Sequence, residues 1–163
     1  NEDKNLIESS KPKSIIDIDL TIPPTIKSNK PRTRKSYKHN PEIDKQKKDK
    51  GNQAEKDVYD SLVLEYGKDN VEHVSNDDDS LGYDIRYKNK NGISKYVEVK
   101  TYSGGQFNIT KNEKEFAQKH IGYYEIFLVG DNINRITDVN YNDETQFTLI
   151  GSEFIVKYNF SSK

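Results

Sequence analysis

The stretch Gly82–Lys100, GYDIRYKNKNGISKYVEVK, decides how this chain is read. Lys95-Tyr96-Val97-Glu98-Val99-Lys100 alternates β-branched and aromatic residues with polar ones, the mark of a strand. A period of two places Glu98 and Lys100 on one face and Val97 and Val99 on the other. Asn91-Gly92 is a strong hairpin signal, and the length of the turn fixes what Glu98 meets. A two-residue turn would set Ile85 against Glu98. A three-residue loop, Lys90-Asn91-Gly92 with Gly92 left-handed, sets Ile85 against Val97, Tyr83 against Val99 and Asp84 against Glu98. A slip of one residue sends every side chain to the wrong face, so the apolar pattern selects the longer loop. The spacing therefore predicts two carboxylates and an ammonium together on one side of a hairpin. Opposed carboxylates repel unless a cation or proton sits between them. A divalent metal suits such a pair, because Mg²⁺ takes oxygen ligands and is commonly held by one or two carboxylates. A lysine beside it can position or deprotonate a water nucleophile. A plain surface salt-bridge cluster is the competing reading of the hairpin alone.

Further elements extend outward from this hairpin. Gly51 to Gly67 is predicted to be helical, with Val58, Tyr59, Leu62, Val63 and Tyr66 as its apolar stripe. Glu55 precedes Val58 and Tyr59 by three and four residues and so shares the stripe at the helix start. It suits the helix dipole there and is also placed to be a third site acid. Val71 to Ser75 reads as a short strand in which His73 is structural, and Asp77-Asp78-Asp79 as a solvated turn. Beyond Lys100, Thr101 to Gly105 is a loop placed to line a substrate groove, with Tyr102 and Gln106 as candidate contacts. Phe107 and Ile109 alternate in a strand. Thr110-x-x-Glu113 is a capping box opening a helix from Lys111 to about His120, which makes Glu113 a cap rather than a catalyst. Tyr124 to Val129 is apolar throughout and predicted inside the sheet. Ile133 to Val139, Gln146 to Ile150 and Phe154 to Phe160 read as peripheral strands.

Asp84, thirteen intervening residues and Glu98-Val99-Lys100 resemble the signature of the PD-(D/E)XK nuclease superfamily, with Tyr83 in the place of its proline. The ordered series Gly51-Asn52-Gln53-Ala54-Glu55, Gly82-Tyr83-Asp84-Ile85, Tyr96 to Lys100, Phe107 to Thr110, Asn112-Glu113 and Tyr124 to Val129 is similar to the NO VEIN C-terminal domain family. The likeness runs over roughly residues 51 to 130. It implies a restriction-endonuclease-like α/β core, a mixed central sheet flanked by helices. It further implies a metal-dependent DNA endonuclease using Mg²⁺, with Mn²⁺ as a substitute. Asp84 and Glu98 would hold the metal, helped by the Val99 carbonyl and Glu55, and Lys100 would position the water. The implied setting is the C-terminal effector of a larger restriction or phage-defence protein, behind a helicase, other ATPase or DNA-reading domain, acting on DNA with RNA left open. Such nucleases often work as homodimers. A catalytically inactive nuclease-fold domain that binds nucleic acid or a protein partner is the alternative.

Composition bounds these readings. The chain has 163 residues and neither Cys nor Met. A thiolate nucleophile, disulfides and a Cys zinc site are excluded, and the missing Met predicts a fragment of a longer protein. No apolar run approaches a membrane span and no signal peptide is visible, which predicts a cytoplasmic location without membrane association. Residues 1–50 carry 13 basic and 8 acidic side chains, a balance of +5; residues 51–163 carry 13 and 19, a balance of −6. An acidic folded part does not bind DNA strongly unaided. Residues 1–50 therefore read as a basic, low-complexity tail or linker and 51–163 as the nuclease-like domain. Within the tail, Arg32, Arg34 and Lys35 are candidate nucleic-acid contacts against a background of solvated linker. Residues 14–22 alternate Ile16, Ile18, Leu20 and Ile22 like an edge strand, able to dock on a sheet edge of this chain or of a partner.

Overall fold

The structure is a computed structural model and describes residues 13–18, 40–74, 81–101, 106–144, 146–150 and 154–158. Its chain order is β1 (Ile15–Ile18), α1 (Pro41–Tyr66), a 3-10 turn (Lys68–Asn70), β2 (Val71–His73), β3 (Ile85–Lys88), β4 (Ser94–Thr101), β5 (Gln106–Ile109), α2 (Lys111–Lys119), β6 (Tyr124–Val129), β7 (Ile133–Ile136), β8 (Phe147–Ile150) and β9 (Phe154–Tyr158). Six strands form a mixed sheet in the order β1-β7-β6-β4-β3-β2, and β5-β9-β8 form a second, antiparallel sheet. The α/β class with a mixed central sheet flanked by helices is as the sequence implied. The separate three-stranded sheet is an addition to it: β8 and β9 pair with β5 instead of extending the central sheet. No helix among the described residues is long and apolar enough to cross a membrane.

The hairpin register follows the apolar pattern. Ile85 faces Val97 and Lys88 faces Ser94, leaving Lys90-Asn91-Gly92 as the loop, with Gly92 at φ +73°. The Asn89 side chain accepts from the Asn91 and Ile93 amides at 3.0 Å and pins the turn. At the other end, the ladder stops at Ile85. Tyr83 does not reach Val99; it packs on Tyr96 and Phe116 across the opposite face. Gly82 makes that path possible. It sits at φ +80°, and a Cβ there would lie 2.9 Å from Phe116 Cβ and 3.0 Å from the Asn112 carbonyl, so only glycine lets the chain pass α2 this closely.

The two faces of the sheet carry two cores. Ala54, Val58 and Leu62 of α1 pack on Ile85, Val97, Val99 and Phe127. On the opposite face Ala117 of α2, Phe107 and Ile109 of β5 and Phe147 of β8 cover Tyr124, Ile126 and Leu128. Both faces of β6 are buried, which is why it reads as an unbroken apolar run. Each fully buried Val or Leu in these layers contributes about 1.5–3 kcal/mol.

Helix α1 begins at Pro41, ten residues ahead of the expected start. Asn40 caps it, accepting from the Glu42 amide at 3.1 Å; Pro41 takes the first turn, and Glu42 and Asp44 complement the dipole. Its exposed first turns bury no stripe, so apolar periodicity could not reveal them. Strand β1 adds in parallel to β7 at the sheet edge, the docking expected of residues 14–22, of which 19–22 lie outside the described residues. Arg135 on β7 grips Asp17 there.

Candidate active site

Strand alternation puts Glu98 and Lys100 on one face, as expected, but it is the face that α2 covers; α1 packs on the Val97 and Val99 side. Glu98 is only 4 % exposed. The Lys100 ammonium lies 2.7 Å from Glu98 Oε1 and 2.8 Å from Glu113 Oε2. Glu113 reaches it from the first turn of α2, where its carboxylate also accepts from the Thr110 amide at 3.1 Å in the capping box. The expected role of Glu113 as a cap is therefore real and incomplete: the same oxygen holds the lysine. The sequence carried a signal for this residue, the capping box, but the box alone does not say what lies across from it.

Asp84 stands where the β3–β4 ladder ends. Its Oδ2 accepts from the Val99 amide at 2.7 Å, taking a donor that strand pairing no longer uses. Burial pushes its carboxyl up to about 7; the Val99 amide opposes this, the charge of Glu55 adds to it, and Lys100 opposes while Glu113 adds. Burial likewise pushes Glu98 well above the ordinary carboxylate range, against the pull of Lys100 and with the push of Asp84 and Glu113. Burial disfavours the charge on Lys100, but Glu98 and Glu113 outweigh it and hold the ammonium above its ordinary value. Two acids thus share one ammonium while Asp84 stands apart on a backbone amide, and burial, which Lys100 only partly offsets, makes Asp84 and Glu98 reluctant to ionise.

Glu55 is near enough for its charge to act on Asp84, but its carboxylate bonds His73 Nε2 at 3.0 Å. His73 stacks on Tyr59, ring centroids 5.7 Å apart. It lies opposite Ile85 in the β2–β3 ladder, one residue from Asp84. The histidine read from sequence as structural is thus the partner of a proposed site acid. Gln106 is exposed at the start of β5. Tyr102, Arg32, Arg34, Lys35 and the Asp77–Asp79 turn lie outside the described residues.

Among the described residues, no three acid or histidine side chains converge on a single point. Asp84 and Glu98 are instead turned to protein donors, a backbone amide and an ammonium. The donor chemistry nonetheless suits a hard divalent ion: partly buried carboxylate oxygens with raised proton affinity are oxygens in need of positive charge. Val99 fits the same set. The N–H and C=O of one strand residue point to the same side, so the Val99 carbonyl is directed towards the Asp84 side of β4, beyond the last paired residue of β3.

No curated protein and no solved structure matches the chain. A family model does: that of the NO VEIN protein, C-terminal, over residues 45–150. The match takes in α1 from its second turn, the acid-bearing hairpin, α2 and the buried strand β6. By that match, which spans most of its length, the chain belongs to the NO VEIN C-terminal family.

Proposed function

We propose that this domain is a metal-dependent endonuclease hydrolysing DNA phosphodiester bonds, the effector module of a larger restriction or defence protein. The observation that supports the reading is the buried Glu98–Lys100 pair on β4, with the half-buried Asp84 carboxylate held at the Val99 amide between them in sequence. A Mg²⁺ or Mn²⁺ ion held by Asp84, Glu98 and the Val99 carbonyl, with Glu55 directly or through water, would supply Lewis acidity at the scissile phosphate. The chain's own groups do the rest. The charges of Glu98 and Glu113 keep Lys100 protonated, and Glu113 anchors it from α2, so its ammonium can orient the attacking water and meet the charge that builds on phosphate oxygens. Burial around Glu98 excludes bulk water and strengthens each of these interactions. Gln106, Tyr102, Arg32, Arg34 and Lys35 would contact the nucleic-acid backbone. The folded part is acidic, so an upstream reader or ATPase domain, or a second copy of the chain, would supply the remaining affinity.

Plasmid nicking tests the reading. Wild type should relax supercoiled DNA with Mg²⁺ or Mn²⁺ but not with EDTA, and Lys100→Ala should lose at least about 100-fold in rate while keeping its fold. Lys100→Ala cutting at the wild-type rate would remove the assigned role. The second reading, a nuclease fold that binds nucleic acid or protein without cutting, draws support from the double hold on Lys100 by Glu98 and Glu113. It is favoured if the folded protein binds no divalent ion.

A further inference from the structure

Two tyrosine hydroxyls are buried beside this site with no bonding partner among the described residues. Tyr124 is 0 % and Tyr141 3 % exposed, and among the described residues neither Oη has a hydrogen-bond partner. Tyr124 stands beside Tyr96 in the β4–β6 ladder, where Ile126 stands beside Glu98. It is therefore on the face of Glu98 and one diagonal step away, a separation that an aromatic side chain spans. Tyr141 enters the same core from the turn before β8, its ring 5.1 Å from that of Phe147. The hydroxyls approach one another without reaching hydrogen-bond geometry, and burial, with the charges of Glu98 and Glu113, suppresses the ionisation of both.

An orphaned hydroxyl in a core is costly, and phenylalanine would fill the same space without it. Glu98 explains why tyrosine stands here. Its Oε1 is held by Lys100. A divalent cation at Glu98 would repel that ammonium, and the carboxylate would then need a new donor. We propose that Tyr124 and Tyr141 are positioning residues whose hydroxyls take over from Lys100 as donors to Glu98 when a divalent cation binds. The inference rests on the cation site of the proposed nuclease; it adds the groups that orient its buried ligand, as outer partners of metal-binding carboxylates do.

Thermal melts of Tyr124→Phe and Tyr141→Phe, without divalent ions and then across a MnCl₂ series, test it. Both variants should melt at or above the wild-type temperature in EDTA. The Mn²⁺ concentration giving half the maximal thermal shift should rise about 10- to 100-fold. Tyr87→Phe is the control: its hydroxyl donates to buried Glu125 at 2.9 Å, away from the site, so it should melt lower and respond to Mn²⁺ like wild type. Phe variants with the wild-type Mn²⁺ response would overturn the inference alone. Phe variants that melt well below wild type in EDTA would show hydroxyls already bonded, and overturn it too. A wild type without any Mn²⁺ shift would bring down the cation site and the inference together.

Discussion

Replacing Asp84 by asparagine separates what its carboxylate does for the fold from what it does for chemistry. Asparagine keeps an acceptor for the Val99 amide and removes the charge. In the cation-free protein that charge is unfavourable, since the carboxyl is pushed from 3.8 up to about 7, chiefly by burial. The folded state therefore holds the proton more tightly than the unfolded chain does. Stability tied to this group is full below pH 4, falls between pH 4 and pH 7, and is lost above. Three pH units at 1.36 kcal/mol each give a ceiling of about 4 kcal/mol. Partial exposure and relaxation around the group reduce the expected gain to about 1–3 kcal/mol at pH 8. For a domain of this size that is a rise of about 2–12 °C in melting temperature. The assay is thermal or urea unfolding of both proteins in EDTA at pH 4.5 and pH 8. Asp84→Asn should be the more stable at pH 8, with the difference shrinking at pH 4.5, and it should not cleave DNA. A variant less stable than wild type at pH 8, or a difference indifferent to pH, would refute the claim that Asp84 is a carboxylate awaiting a cation.

Other perturbations probe the frame around the site. Glu113→Gln should preserve the capping box but weaken the grip on Lys100, lowering the cleavage rate with less than about 1 kcal/mol of stability lost. Thr110→Ala should do the reverse, costing about 1 kcal/mol in urea unfolding with the rate near wild type. Gly82→Ala should destabilise by at least about 2 kcal/mol, because both its positive φ and its contact with Phe116 forbid a Cβ; wild-type melting would show that the chain can move off α2. Glu98→Ala should abolish cleavage while far-ultraviolet circular dichroism stays that of wild type.

The parts of the site that lie in one strand or one turn were legible in the sequence. Alternation gave the facing of Glu98 and Lys100, and the mismatch of Ile85 with a charged partner selected the loop that puts it on Val97. What escaped depends on how separate elements meet. Glu113 has a sufficient local reason to exist as a cap, and only the packing of α2 over the sheet reveals its hold on Lys100. Glu55 is expected at a helix start suited by the dipole, but α1 begins at Pro41 and places it well inside the helix, and its bond to His73 arises across α1 and β2. Tyr124 read as one more apolar residue of a buried strand, since a sequence does not say whether a hydroxyl finds a partner. The pairing of β5 with β9 joins segments nearly fifty residues apart, and alternation marks a strand without naming its neighbour.

Titration calorimetry of Mn²⁺ into the protein at pH 6.5, in two buffers of different ionisation enthalpy, bears most directly on the central claim that Asp84 and Glu98 form a cation site. Carboxyls with raised proton affinity must shed protons to bind a metal. Wild type should bind Mn²⁺ with proton release, and Asp84→Asn and Glu98→Gln should bind at least about tenfold more weakly and release fewer protons. Binding of equal strength in all three proteins, or none in the wild type, would contradict it.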